Sequence, residues 1–94
     1  MSAMLPMLKT DLGITSTAYD ERLEQYISSA KEMITREGVE LSLDDFNEDM
    51  QLVVMYAAWL WRRRDSGEGM PRMLRYTLNN RIFSQKMREE VNDG

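Results

Sequence analysis

Few residues of this chain could do chemistry, and their types narrow what that chemistry is. Asp44-Asp45 and Glu89-Glu90 are adjacent carboxylates, but neighbouring side chains on a helix point apart and do not converge on one reacting atom. Asp20 and Glu24 do share a helix face. Lacking a histidine or a third convergent acid, they make a poor cation site, and a role in a helix's first turn accounts for them better. The chain has no histidine and no cysteine. That removes the usual general base near neutral pH, the commonest metal ligand, the thiol nucleophile and any disulfide framework. Gly67 and Gly69 follow no strand, so they read as a helix–helix turn rather than a phosphate-cradling loop. Against the requirements of an active site the chain reads as no enzyme, with no catalytic, cofactor-binding or metal residues and no cofactor.

The basic residues are the other chemical resource. Arg62-Arg63-Arg64 with Arg72 and Arg75 could track a phosphate backbone, and helix-turn-helix binders are of this size. Asp65 and Glu68 in the intervening turn, and an acidic first half, oppose that use. A small helical DNA-binding regulator therefore stands as an alternative. So does an assembly chaperone that binds one protein partner through Trp59 and Trp61.

Charge is divided along the chain rather than mixed. The 94 residues carry 12 Lys+Arg against 16 Asp+Glu, for a net charge of -4. Up to Leu60 there are four basic residues and eleven acids; from Trp61 to Arg88 there are eight basic residues and two acids. Formal charge is therefore about -7 in the first stretch and about +6 in the second. A dipolar subunit of this kind suits head-to-tail association, in which one copy's acidic surface meets its neighbour's basic one and the contacts close into a ring or run on as a filament.

The elements that must position these residues are helical. The pattern predicts an all-α fold, a small bundle of about four helices at approximately 4–12, 17–37, 47–65 and 71–83 or longer, with a polar C-terminal tail. The first tolerates Pro6 in its opening turn and stops at Gly13. Thr17, three residues before Asp20, resembles a capping box and opens the second. Its apolar stripe is Tyr19, Leu23, Tyr26, Ile27, Ala30 and Ile34, and Glu32 and Arg36 pair one turn apart on the exposed side. Residues 39–46 read as a loop pinned by Leu41, Leu43 and Phe46, because a strand there would have no partner. Asp45 with Glu48 forms a second capping signature before the third helix. The fourth opens with Pro71 in its first turn and buries Met70, Met73, Leu74, Thr77, Leu78, Ile82 and Phe83, while Arg72, Arg75 and Asn79 project together from another face.

From Met50 to Trp61 only Gln51 is polar. The run is about 12 residues, short of the roughly 20 a bilayer span needs, so no membrane association is expected. The opening MSAMLPMLKTDLG lacks a basic region leading an apolar core, so no signal peptide is expected. A helix apolar nearly all round is either the central helix of the core or one whose surplus face meets another subunit, with Tyr56, Trp59 and Trp61 as anchors. One domain, 1–94, fits the length.

These pieces occur in an order that resembles a known family. MLKTDLGIT, then YDERLEQYISSAKEMI, then DDFNEDMQLVVMYAAWLWRRR, a glycine turn and MPRMLRYTLNNRIF are similar to the small head–tail connector (adaptor, or head-completion) proteins of long-tailed phages and prophages, over about residues 4–83. The resemblance implies a helical structural protein of the virion with no catalytic activity. Many copies, commonly twelve, would form an oligomeric ring at the head–tail junction beneath the portal protein of a filled capsid. The ring would extend the DNA channel after packaging and present a platform for the stopper or tail-completion protein, and DNA would pass without sequence-specific binding. Assembly would take place in the host cytoplasm. Carried onto this chain, the candidate subunit interface is Met55, Tyr56, Trp59, Trp61, Arg62, Arg63, Arg64, Arg72, Arg75 and Asn79. Residues 84–94 are a candidate docking tail, with Lys86, Met87 and Arg88 as candidate portal contacts.

Overall fold

The computed structural model describes residues 3–43 and 48–93, with side chains as far as Glu89. Four helices follow in order: α1 (Met4–Leu12), α2 (Asp20–Arg36), α3 (Glu48–Ser66) and α4 (Arg72–Asp93). The described residues contain no strand. The chain is all-α, a small helical bundle, as the periodicity predicts.

Helix α1 buries Met4, Leu5 and Leu8 and ends at Gly13, whose φ of 71° is left-handed. The N–H groups of Gly13 and Ile14 turn back to the carbonyls of Thr10 and Lys9, at 3.2 and 2.9 Å. A residue with a Cβ would be strained in that conformation by about 1–2 kcal/mol.

The start of α2 differs from the expectation. The helix begins at Asp20 rather than 17, and its N-cap, Tyr19, makes no side-chain capping bond. Instead of capping through its hydroxyl, Thr17 accepts the Asp20 N–H at its carbonyl, at 3.2 Å, while Ser16 Oγ accepts the Ala18 N–H at 3.0 Å. Asp20 turns its carboxylate to Lys9 on α1, at 2.7 Å. Hence the first-turn acid ties two helices together as well as complementing the helix dipole. The buried stripe of α2 is Leu23, Ile27, Ala30 and Ile34. Tyr26 is half-buried and Tyr19 largely exposed. Glu32 and Arg36 form the expected pair one turn apart.

Helix α3 is the axis of the core. Eleven of its residues, Asp49, Met50 and nine more through Trp61, are buried, packed by α1, α2 and α4. The segment before it has no regular structure over 39–43. Val39 there is buried, and Leu41 and Leu43 lie against the core. Phe46, the pairing of Asp45 with Glu48, and a helix start at 47 lie outside the described residues.

Helix α4 runs well beyond Phe83, to Asp93. The expected polar tail is helical from Ser84 to Asp93. Its inward face is narrower than the periodicity suggested: Leu74 and Leu78 are buried, Met70, Thr77 and Ile82 half-buried, and Met73 and Phe83 point outward. Twenty-two residues make a rod of about 33 Å, longer than the core it lies on. The radius of gyration is 14.1 Å and the extents are 50 × 28 × 17 Å. A compact chain of this length would have a radius near 12 Å, so the molecule is elongated.

Candidate assembly surfaces

The aromatic side chains of α3 belong first to the chain's own core. Tyr56, Trp59 and Trp61 are each no more than 9% exposed. Trp61 packs edge-on with Tyr19, the residue before α2, and Tyr26 within it, with ring centroids 5.5 and 5.8 Å apart, and Trp59 meets Tyr56 at 5.4 Å. The Trp59 Nε1–H donates to the carbonyls of Glu68 and Gly69, at 3.2 and 3.1 Å, and so fixes the turn between α3 and α4. Burial pushes the Tyr56 hydroxyl above its ordinary pKa, and the charge of Glu37 adds to this; Arg75 and Arg63 oppose it. The apolar circumference of α3 is thus covered largely from within, the three expected anchors included, and the candidate interface residue Met55 is half-buried.

Arg62, Arg63 and Arg64 are exposed but engaged. The Arg63 guanidinium lies 4.9 Å from the Trp59 ring centre and that of Arg64 3.7 Å from the Trp61 ring centre, so each cation roofs an indole. Arg62 reaches Asp11 on α1 at 3.6 Å, and Arg64 reaches Asp65 at the same distance. Arg75 faces Glu37, the residue after α2, at 3.8 Å. Arg72 and Asn79 are exposed, as are Lys86, Met87 and Arg88.

The pairing of Arg62 with Asp11, Arg75 with Glu37 and Arg81 with Asp49 changes the meaning of the divided charge. In each, a cation of the basic stretch meets a carboxylate of the acidic one within a single chain. Part of the sequence's dipole is therefore used in folding.

The most enclosed polar group of the fold is one the spacing did not reveal. Arg81 donates from Nε to Asp49 Oδ1 at 2.7 Å and from Nη2 to Oδ2 at 3.2 Å. It also bonds the Glu40 carbonyl at 2.8 Å and Gln85 Oε1 at 3.2 Å. Asp49 accepts the Ser42 N–H at 2.8 Å, and Gln85 accepts the Glu40 N–H at 3.2 Å. Burial alone would raise the Asp49 pKa. The bond from Arg81, the Ser42 N–H and the charges of Arg81 and Arg88 outweigh it and hold the carboxyl below its ordinary value. This cluster latches α4 and the 39–43 segment to the start of α3. A signal existed: Arg81 and Gln85 continue the Leu74–Leu78 face at steps of three and four, so two polar residues occupy inward positions.

Four large apolar side chains of α4 face outward: Met73, Tyr76 and Phe83 at 64–66% exposure, and Met87 at 48%. Beside them, between α4 and the start of α3, runs a groove of about 590 Å³ whose walls include Ser42, Glu48, Thr77, Asn80 and Arg88. Among the described residues, no helix is long and apolar enough to cross a membrane, and no three acids, histidines or cysteines gather as metal ligands.

What this geometry offers is contact surface: a rigid core, a latched helix that outruns it, and apolar side chains turned to solvent. The model of the phage gp6-like head–tail connector protein family matches residues 2–89, and the chain belongs to that family. Its members are structural connector proteins of phage and not a known enzyme family. No curated protein and no solved structure matched the chain.

Proposed function

We propose that this chain is a ring-forming subunit of the head–tail connector, seated between the portal protein and the stopper or tail-completion protein and extending the channel through which packaged DNA passes. The observation that carries the proposal is membership of the connector family over nearly the whole chain. An elongated subunit, with α4 outrunning the core, supplies two surfaces for heterologous contact. In this reading Arg62, Arg63, Arg64, Arg72, Arg75, Asn79 and the exposed edge of Met55 lie at or near the contact with a neighbouring copy. Tyr56, Trp59 and Trp61 support that surface from beneath. Lys86, Met87 and Arg88, near the end of α4, are portal contacts. The virion is the site of action, with assembly in the host cytoplasm.

A DNA-binding regulator is less consistent with the arginines, because Arg62, Arg64 and Arg75 face carboxylates of the same chain and Arg63 lies on an indole. Light scattering on the purified chain, alone and mixed with its portal, tests the proposal. A defined multi-copy species that forms with rising concentration or on the portal supports it. A monomer at high concentration that binds no portal at low salt contradicts it.

A further inference from the structure

Helix α4 has two faces that differ in kind. Leu74, Leu78, Arg81 and Gln85 point into the chain; Met73, Tyr76, Phe83 and Met87 point away from it. With Asn80 between them, the outward residues are spaced three, four, three and four apart, the repeat of a two-stranded coiled-coil seam with one polar position in it. Such a row is set off from singly scattered surface apolar residues by its continuity over four turns. Cations border it: Arg72 and Lys86 on one flank and Arg88 on the other. None of the three has an ion-pair partner within 4.0 Å among the described residues, in contrast to Arg62, Arg64, Arg75 and Arg81.

We infer that this outward face of α4 is a docking seam for an acidic amphipathic helix of another protein. The three-four spacing calls for a helix, because a facing helix presents knobs at the same repeat. The basic flanks, which make no ion pair among the described residues, call for carboxylates at its edges. Asn80, polar within the seam, fixes the register of the pair. Glu48 on the groove wall specifies one position where the incoming helix carries a neutral or basic residue.

A second copy of this chain fits less well. Pairing α4 with itself sets Arg72, Lys86 and Arg88 near their own counterparts. The exposed acids with no ion-pair partner among the described residues, Glu21, Glu40, Glu48, Glu68 and Glu89, are distributed over five separate segments and form no helical row. The seam includes Met87, and Lys86 and Arg88 flank it, but the docking of an acidic helix does not depend on ring formation. Loss of the ring with docking retained, and the reverse, are separable results.

The test uses the full chain and two labelled synthetic helices of about three heptads. Both carry the same apolar seam with one Asn; one has Glu at its flanking positions and the other Lys. Fluorescence anisotropy should show the Glu peptide binding at least about tenfold more tightly than the Lys peptide, with affinity falling as salt rises. Phe83→Glu and Tyr76→Glu should each reduce binding of the Glu peptide about tenfold or more, since a seam-centre residue carries much of such an interface. Circular dichroism melts of both variants should match the parent. Equal binding of the two peptides, no binding, or binding indifferent to Phe83→Glu would overturn the inference. Self-association that is lost on Phe83→Glu would overturn it too, and assign the seam to a second copy; tight duplex DNA binding lost on Arg72→Glu would assign the face to nucleic acid.

Discussion

Arg81 on α4 holds both carboxylate oxygens of Asp49 on α3, at 2.7 and 3.2 Å, and the same guanidinium reaches the Glu40 carbonyl at 2.8 Å. One side chain thereby joins two helices and the segment between α2 and α3. Among the described residues of α4 only Leu74 and Leu78 are apolar and buried, so the pair carries an unusual share of that helix's attachment. Replacing both charges by apolar groups of similar volume is often neutral in such settings, whereas removing one leaves the other buried and unpaired.

Asp49→Ala should destabilise the chain by about 3 kcal/mol. The double variant Asp49→Leu, Arg81→Leu should recover a large part of that loss. Urea unfolding followed by tryptophan fluorescence measures both. Equal losses in the single and double variants would mean that the packing around the pair, rather than the stranded charge, sets the cost.

The acid limb of the stability curve should depend on the same pair. The Asp49 carboxyl has a folded-state pKa below its unfolded one, so its contribution is fully present above the unfolded value and is lost as pH falls through the folded value. Stability should therefore drop below about pH 4 more steeply in the parent than in Asp49→Asn. Midpoints in urea from pH 6 down to pH 2.5 make the comparison, and parallel curves would count against it.

At alkaline pH the sign reverses. Tyr56 is neutral and buried with a raised pKa. Its contribution is complete below the unfolded value near 10 and is lost as pH rises through the folded one. Tyr56→Phe should flatten the decline of stability above pH 10, as read from thermal melts.

Trp59 ties the α3–α4 turn to the core through its indole N–H. Trp59→Phe should cost about 1–3 kcal/mol, combining the lost bond with a small cavity. It should also speed amide exchange in residues 67–70. Unchanged exchange there would show that Gly67 and Pro71 hold the turn without the indole.

The three arginines after Trp61 offer a test of charge across subunits. Arg62, Arg63 and Arg64 all changed to Glu should lower stability by about 1–2 kcal/mol, since exposed pairs and cation–π contacts are each worth under about 1 kcal/mol. The larger effect should fall on assembly, seen as weaker ring formation in light scattering. Unaltered assembly would confine these arginines to the fold.

The helix order was legible because its signals are local. Gly13 and Gly38 stop α1 and α2, the Tyr19–Ile34 period marks an inward face, and Met50–Trp61 reads as a helix apolar nearly all round, at the core or at a subunit contact. The start of α2 was misplaced because Thr17 has a capping residue's type but uses its carbonyl. Helix α4 was underestimated because a polar run carries no burial signal. It persists through side-chain bonds one turn apart, Arg81 to Gln85 and Gln85 to Glu89, each 3.2 Å. The outward turn of Met73 and Phe83 depended on which face Leu74 and Leu78 chose, a tertiary matter. Asp49 and Arg81 lie 32 residues apart, well beyond the reach of a local signal. Membership of the connector family was legible from the order of the segments.

The central claim is that this subunit builds a ring through which DNA passes. Electron microscopy of the chain assembled on its portal tests it most directly. The account predicts a closed ring of identical subunits whose central opening is about 20 Å or wider, enough for duplex DNA, given its groove dimensions. A single copy bound to the portal's side, or an assembly with no open channel, would contradict it.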